Sequence, residues 1–259
     1  MTFNKIKDCR YGKMIYNVND WYMGRSLDLY GEFSEGEVKL FRQFIKEGMY
    51  VLDLGANIGC HTLIFSQLVG NTGKVFAYEP QRIIYQTLCG NMAINSVENV
   101  YCYQKAIFNK VGITKIEEPS NHELCNFGMV TINQIEGVDV ETINLDSINV
   151  DKCDFIKADI ENMEYEMIEG GKLFIKKFRP IMYLEDNMTD KSEALIDLLI
   201  SLNYKLFKHT TPYYNKDNFL NNNHNVFTTV CSFNILCLPR EKDFDSSITN
   251  NISDLKPIY

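Results

Sequence analysis

The sequence predicts an α/β fold: a doubly wound, mainly parallel sheet flanked by helices, with an antiparallel last strand at the edge. Three observations carry this. Residues 50–62, Tyr-Val-Leu-Asp-Leu-Gly-Ala-Asn-Ile-Gly-Cys-His-Thr, read as strand, tight glycine turn and helix start. A second apolar strand, Lys74 to Glu79, ends on an acid 20 residues beyond Gly59. From Tyr50 to residue 202, strand-like and helix-like segments alternate, which is the pattern of a parallel sheet.

Taken in order, residues 1–47 are a helical lead. Ser34 is a candidate N-cap with Glu37 as its capping-box partner. Val38, Phe41 and Ile45 then line one helix face beside Leu40 and Phe44. Strand 50–54 precedes helix 58–69, and strand 74–79 precedes helix 81–94. The third strand is 100–106. Residues 107–137, with Glu117-Glu-Pro-Ser-Asn and Asn126-Phe-Gly, are less regular: loop with an edge strand, placed to lie over a ligand. Val138–Ile143 is strand-like, and Asp154-Phe-Ile-Lys-Ala-Asp159 is an apolar strand ending on an acid. Helix 163–176, strand Ile181–Glu185 and helix 190–202 follow, the last carrying Ala194, Leu195, Leu198 and Leu199. Two further strands are expected at 204–208 and 228–238, the second as an antiparallel addition to the sheet edge. Residues 240–259 form a polar tail, expected to be partly disordered. Neither repeat nor linker is evident, so 1–259 reads as one domain: lead 1–47, α/β core 48–239 and tail.

The glycine turn separates two ligand classes. Its spacing is G-x-x-x-G, with Asp53 two residues before Gly55. A dinucleotide places a diphosphate at such a turn, where the helix N-terminus favours it, and a carboxylate alongside would repel it. S-adenosylmethionine instead carries a cationic sulfonium and amino group, for which an acidic rim is favourable. Gly55 and Gly59 would let the backbone turn sharply and a ligand approach it closely. Glu79, at its strand end, reads as the ligand of the ribose hydroxyls. The competing reading is an ordinary buried turn with a solvated Glu79, and a dinucleotide-dependent oxidoreductase is the competing function.

A chain of 259 residues with 45% hydrophobic and 23% charged residues is long enough for one large α/β core. The net charge of −8 argues against nucleic acid as a partner, since phosphate contacts need clustered Lys and Arg. The N-terminus, Met1-Thr-Phe-Asn-Lys-Ile-Lys-Asp, has no apolar signal region, and no apolar run is long enough to span a bilayer. A cytoplasmic protein acting on a small molecule, away from membranes, is expected. The eight cysteines form no C-x-x-C pair and lie mostly in apolar segments, as reduced core thiols do.

With these residues in hand, the chain resembles the FkbM-type methyltransferases, class I enzymes that use S-adenosylmethionine. The resemblance rests on Val51-Leu-Asp-Leu-Gly-Ala-Asn-Ile-Gly59, Val75-Phe-Ala-Tyr-Glu-Pro80, Phe155-Ile-Lys-Ala-Asp-Ile-Glu-Asn-Met-Glu-Tyr-Glu166 and Pro180-Ile-Met-Tyr-Leu-Glu185. Gly24–Glu37, which includes Arg25, Tyr30 and Glu35, and Asn234–Pro239 are similar to the flanks of one branch. Where the family reads Lys-Ile-Asp-Val-Glu-Gly, this chain reads Lys157-Ala-Asp-Ile-Glu-Asn162, so Asn162 takes the place of a glycine that shapes the turn. Where the family often ends the next strand on Glu-Asn, this chain has Glu185-Asp-Asn187. The resemblance implies O-methylation of a hydroxyl, with sugars and polyketides among the family's acceptors. The candidate cofactor set is Glu35, Asp53, Gly55, Asn57, Gly59, Thr62, Glu79 and Ala106, with Glu35 set against the amino group.

Methyl transfer from a sulfonium has a good leaving group, so the chemistry turns on the nucleophile. An alcohol needs positioning and either a general base or a metal that lowers its pKa. Two acidic strand ends remain after the cofactor is placed: Asp159 with Glu161, and Glu185 with Asp186 and Asn187. Asp159, Glu185 and Asp186 offer hard oxygen ligands for Mg²⁺ or another divalent cation. The plainer alternative has Glu185 as a helix cap and Asp186 solvated. Asp159, Glu161, Glu185 and His122 are the candidate catalytic residues. His61 and His224 are weaker candidates, since a lone histidine is usually a packing or surface residue. Acceptors other than sugars (a polyketide, a lipid, a phosphoryl group) and a non-catalytic cofactor-binding protein are the alternative functions. The sequence does not fix the oligomeric state.

Overall fold

The chain opens on a hairpin. In the computed structural model, which describes residues 2–129, 132, 136–244 and 255–258, β1 (Asn4–Cys9) pairs antiparallel with β2 (Gly12–Asn17). The lead is expected to be helical, with a capped helix at its end. Its first part is instead a half-buried ribbon, with Met14 and Tyr16 turned inward and Lys13 outward. The helices α1 (Met23–Tyr30) and α2 (Glu35–Phe44) complete the lead. The expected capping box at α2 does not form. Ser34 has φ 49° and makes no side-chain cap bond, and Glu37 is drawn into the interior.

The alternating core follows the sequence reading closely: β3 (Tyr50–Leu54), α3 (Cys60–Val69), β4 (Lys74–Tyr78), α4 (Arg82–Ile94) and β5 (Val100–Tyr103). Next, β6 (Ala106–Ile107), β7 (Gly112–Ile116) and β8 (Val138–Ile143) form a separate three-stranded sheet in the order β6-β8-β7. The irregular stretch 107–137 therefore does hold an edge strand; its residues 130–131 and 133–135 lie outside the described residues. The main sheet resumes with β9 (Phe155–Ala158). The helix expected at 163–176 is two, α5 (Glu164–Glu169) and α6 (Lys172–Phe178), divided at Gly170-Gly171, where a Cβ on Gly170 would stand 2.6 Å from the Asn109 backbone. Then come β10 (Ile181–Glu185), α7 (Ser192–Ser201), β11 (Tyr204–Pro212), β12 (Cys231–Pro239) and β13 (Leu255–Ile258).

The main sheet has the order β13-β11-β12-β10-β9-β3-β4-β5. Strands β5, β4, β3, β9 and β10 are parallel, and β12, β11 and β13 are antiparallel to their neighbours. The last strand is thus antiparallel and at the edge, as expected, but it is β13. The segment read as the edge strand, now β12, lies one place further in, between β10 and β11. The tail is not merely polar: Ile258 is buried and pairs with Leu206, while residues 245–254 lie outside the described residues.

The parallel strands are apolar on both faces, because helices cover both. Phe41 and Phe44 of α2 and Phe65 of α3 pack on Val51, Phe155 and Tyr183. On the other face Met167, Phe174, Leu195 and Leu199 pack on Leu52, Ile156, Met182 and Leu184. The chain winds from β3 to β4 and β5 on one side, then returns to place β9 on the other side of β3. The strand order therefore reverses between β3 and β9, and a crevice opens there at the strands' carboxyl ends. All eight cysteines are free thiols. Among the described residues, no helix is long and apolar enough to cross a membrane.

Candidate active site

Strands β3, β9 and β10 end level, because Leu54, Ala158 and Leu184 are register partners. The residues that follow them, Gly55, Asp159 and Glu185, thus emerge side by side. A cavity of about 350 Å³ lies over these ends, lined by all three and by Glu79. That volume is within the ~300–1,000 Å³ typical of small-molecule sites.

Gly55 holds this edge together. Its φ is 74°, and a Cβ there would lie 1.8 Å from the Asp159 carbonyl oxygen. The glycine therefore serves the close approach of two backbones as well as the turn. Gly59 likewise permits packing of α3 on α4, since a Cβ would meet Leu88 at 2.6 Å. Asp53 does not form the expected acidic rim. It is 0% exposed, and its Oδ2 accepts a 2.6 Å hydrogen bond from Thr62, itself buried. Its Oδ1 has no hydrogen-bond partner and lies 3.9 Å from the ammonium of Lys157. The cover of α3 takes both Asp53 and Thr62 away from the cavity wall.

Glu79 lines the cavity at the end of β4. The backbone N–H groups of Asn57 and Gln81 donate to its two oxygens, at 3.0 and 2.9 Å. Burial pushes its pKa up to about 7, against the pull of these two amides. Each oxygen keeps a lone pair for a further donor. Asn57 lines the same wall, and Gln81 donates at 2.8 Å to the Phe127 carbonyl, which draws Asn126 and Gly128 over the cavity. Asn126, Gly128 and Met129 of the irregular stretch line the cavity. Ala106 is buried in β6 and faces a small adjoining recess rather than the main cavity. Glu35 turns away: it accepts from the Tyr11 hydroxyl at 2.6 Å and lies 3.8 Å from Arg10.

The opposite wall is acidic. Asp159, Glu161 and Glu185 each place an oxygen within 4.8 Å of the others. Burial alone would raise the Asp159 carboxyl; the Lys157 ammonium, 3.2 Å away, and the Glu185 carboxyl that hydrogen-bonds to it together outweigh burial and hold Asp159 below its ordinary value. Burial, reinforced by Asp159, pushes Glu161 up to about 8 and raises Glu185 well above the carboxylate range. Glu185 Oε2 is buried without a hydrogen-bond partner. Glu161 and Asn162 have φ 53° and 69°, so the chain turns through the left-handed region at the position where the resemblance leads one to expect a glycine. Asp186 does not join this group. Its carboxylate accepts from the Ser192 hydroxyl and from the Met188 N–H, and so organises the loop before α7. Glu161, not Asp186, is the third carboxylate beside Asp159 and Glu185.

Of the histidines, His61 alone lines the cavity. Burial, reinforced by Lys157, lowers its pKa to about 3, and its Nε2 is 3.4 Å from Glu37. His122 is exposed against Phe3, with ring centroids 5.2 Å apart, and His224 is exposed in a late loop, so neither reaches the acids. Sequence reasoning missed Lys157 and the aromatic residues Tyr22, Phe33 and Tyr213 of the cavity wall. For Lys157 a signal existed: a single cation inside an apolar strand, two residues before the acid it serves. For the loop aromatics there was none.

The profile of the methyltransferase FkbM domain matches residues 53–206. A methyltransferase FkbM from Methylobacillus flagellatus KT superposes with a TM-score of 0.50 at 16% identity, covering 73% of this chain and 43% of that one. The chain therefore spans under half the length of that protein. An S-adenosylmethionine-dependent O-methyltransferase from Thermotoga maritima gives a TM-score of 0.46 at 12% identity over 93% and 79% of the two chains. Aeropyrum pernix fibrillarin, with natively bound S-adenosylmethionine, gives 0.46 at 11% identity over 90% and 82%. No curated protein matches the chain. The profile covers more than half of the sequence and includes both the glycine turn and the acidic strand ends, and the chain belongs to the FkbM family of S-adenosylmethionine-dependent methyltransferases.

Proposed function

We propose that the chain transfers the methyl group of S-adenosylmethionine to a hydroxyl of a small polar acceptor, a sugar or glycan precursor being the favoured class. The observation that carries this is the carboxylate wall of Asp159, Glu161 and Glu185, facing Glu79 across one cavity. S-adenosylmethionine supplies a methyl group on a positively charged sulfur that leaves as a neutral thioether. Glu79 accepts the ribose hydroxyls, with Asn57 and Gln81 fixing its orientation. Asp159, kept ionised by Lys157, orients the acceptor hydroxyl and offsets positive charge beside it. Glu161 takes the proton, since a carboxyl poised near 8 is matched to base chemistry at neutral pH.

The acid wall also fits a hard divalent cation: three carboxylates converge, and Glu185 Oε2 is buried and unpartnered. Asp159, Glu161 and Glu185 would hold it, and it would supply Lewis-acid lowering of the hydroxyl pKa. An acidic cavity in a chain of net charge −8 favours a neutral hydroxylated acceptor over a nucleic acid. Labelled methyl transfer to a panel of nucleotide sugars and glycosides, with added Mg²⁺ and with chelator, tests the reading. Transfer to a sugar hydroxyl is expected. Its absence under both conditions would contradict it, and survival after exhaustive chelation would remove the cation.

A further inference from the structure

The acceptor side of the cavity is built from outside the profile-matched residues 53–206. Tyr22, Met23 and Phe33 come to it from the lead, and Tyr213, Val230 and Cys231 from the segments flanking the loop between β11 and β12. Three of these are aromatic and hold one another. The Tyr213 ring meets Phe33 at 5.3 Å and 72°, and Tyr22 at 5.8 Å and 81°. Behind it stands Phe227, at 5.9 Å. The Tyr213 N–H donates at 3.1 Å to the Val230 carbonyl, so backbone and ring are both fixed.

The hydroxyl of Tyr213 is not used by the fold. Three tyrosines nearby spend theirs: Tyr30 donates to the His224 carbonyl at 2.8 Å, Tyr214 to the Asn222 carbonyl at 3.3 Å, and Tyr183 pairs with His209 at 2.7 Å. Tyr213 makes no such bond among the described residues. Its ionisation is raised by burial and then by Asp159, Glu37, Glu185 and Glu161, so it stays a protonated donor facing carboxylates. The cavity thus offers acceptors on one wall, a free donor on another, and apolar ring faces between them.

On the reading that this is a hydroxyl-methylating site, we propose that Tyr213 is the acceptor-positioning residue, and that with Tyr22 and Phe33 it selects a six-membered polyol ring. Such a ring has an apolar C–H face to lay on aromatic carbon. Its hydroxyls can both donate to carboxylates and accept from a phenol. Tyr213 donates to a hydroxyl oxygen next to the one methylated, which turns the reacting oxygen toward Asp159 and Glu161.

The test is calorimetric titration of methyl hexopyranosides of the gluco, galacto and manno series, with catechol as a flat phenolic control, into protein saturated with S-adenosylhomocysteine. At least one pyranoside should bind wild type. Tyr213→Phe, which keeps the ring and its packing, should weaken it about tenfold while leaving S-adenosylhomocysteine affinity within about twofold. Tyr213→Ala should abolish pyranoside binding. Equal pyranoside affinity in Tyr213→Phe, no pyranoside binding to wild type, or catechol binding in its place would overturn the proposal while leaving the methyltransferase reading intact. Failure of S-adenosylhomocysteine itself to bind wild type would overturn that reading, and this proposal with it.

Discussion

Glu79, buried, and Glu161, half-buried, are two carboxyls whose titration reports their roles. Glu79 sits at about 7 because burial penalises its charge. Only the ionised form offers all its lone pairs to a diol. Affinity for S-adenosylhomocysteine is therefore expected to rise between pH 6 and 8 in wild type, and to be flat over that range in Glu79→Gln. For Glu161 the folded pKa, about 8, lies above the ordinary carboxyl value. The folded state then holds more protons than the unfolded one, so this group's contribution to stability is present at acid pH and lost as pH rises through 8. Thermal melts should show Glu161→Gln level with wild type near pH 4.5 and more stable at pH 9. A variant less stable at pH 9 would mean that Glu161 is held by a favourable partner. Gly55→Val should lower the melting temperature sharply, since its Cβ would strike the Asp159 carbonyl; an unchanged melt would contradict that geometry. At this scale the sequence spoke clearly wherever an acid ended an apolar strand, as with Glu79, Asp159 and Glu185. It misplaced Asp53 because strand period assigns a face and does not show what covers that face. It could not place Tyr213, whose position depends on contacts with Phe33, far away in the chain, and with Phe227 across the β11–β12 loop.

The hairpin β1-β2 shows what elements conceal from local pattern. Its pairing continues into side chains: the Asn91 carboxamide accepts from the Ile15 N–H at 2.6 Å and donates to the Ile15 and Ile58 carbonyls at 3.0 and 2.7 Å. Asn95 does the same for Lys13, at 2.9 and 2.7 Å. Two asparagines four residues apart, one on α4 and one capping its C-terminus, thus stand in for a neighbouring strand. Asn91 is 0% exposed, so Asn91→Ala leaves buried backbone groups unpaired and should cost about 1–3 kcal/mol. A thermal melt within a degree of wild type would contradict this. Residues so far apart in sequence cannot announce such a clamp. The edge of the sheet was hidden for the same reason. Alternation identified β12 as a strand but not its neighbours, and the short β13 is marked only by burial of Ile258 and by Pro257, a residue suited to an edge because it lacks an N–H.

Across the whole molecule, the order of the strands places the site. Because β3 and β9 are adjacent yet run on to opposite sides of the sheet, Glu79 and the Asp159 group face one crevice from opposite walls. This much was legible, since alternating strands and helices leave few topologies open. The wall proposed for the acceptor was not, because it is assembled from the lead and from the segments around the β11–β12 loop. The proposed division of labour, cofactor on the Glu79 side and acceptor on the Asp159 side, is tested most directly by one calorimetric comparison. S-adenosylhomocysteine is titrated into wild type, Glu79→Ala and Asp159→Asn. The expected result is one-to-one binding to wild type, a loss of about 1–3 kcal/mol in Glu79→Ala, and unchanged affinity in Asp159→Asn. Equal affinity in wild type and Glu79→Ala, or an equal loss in both variants, would contradict it.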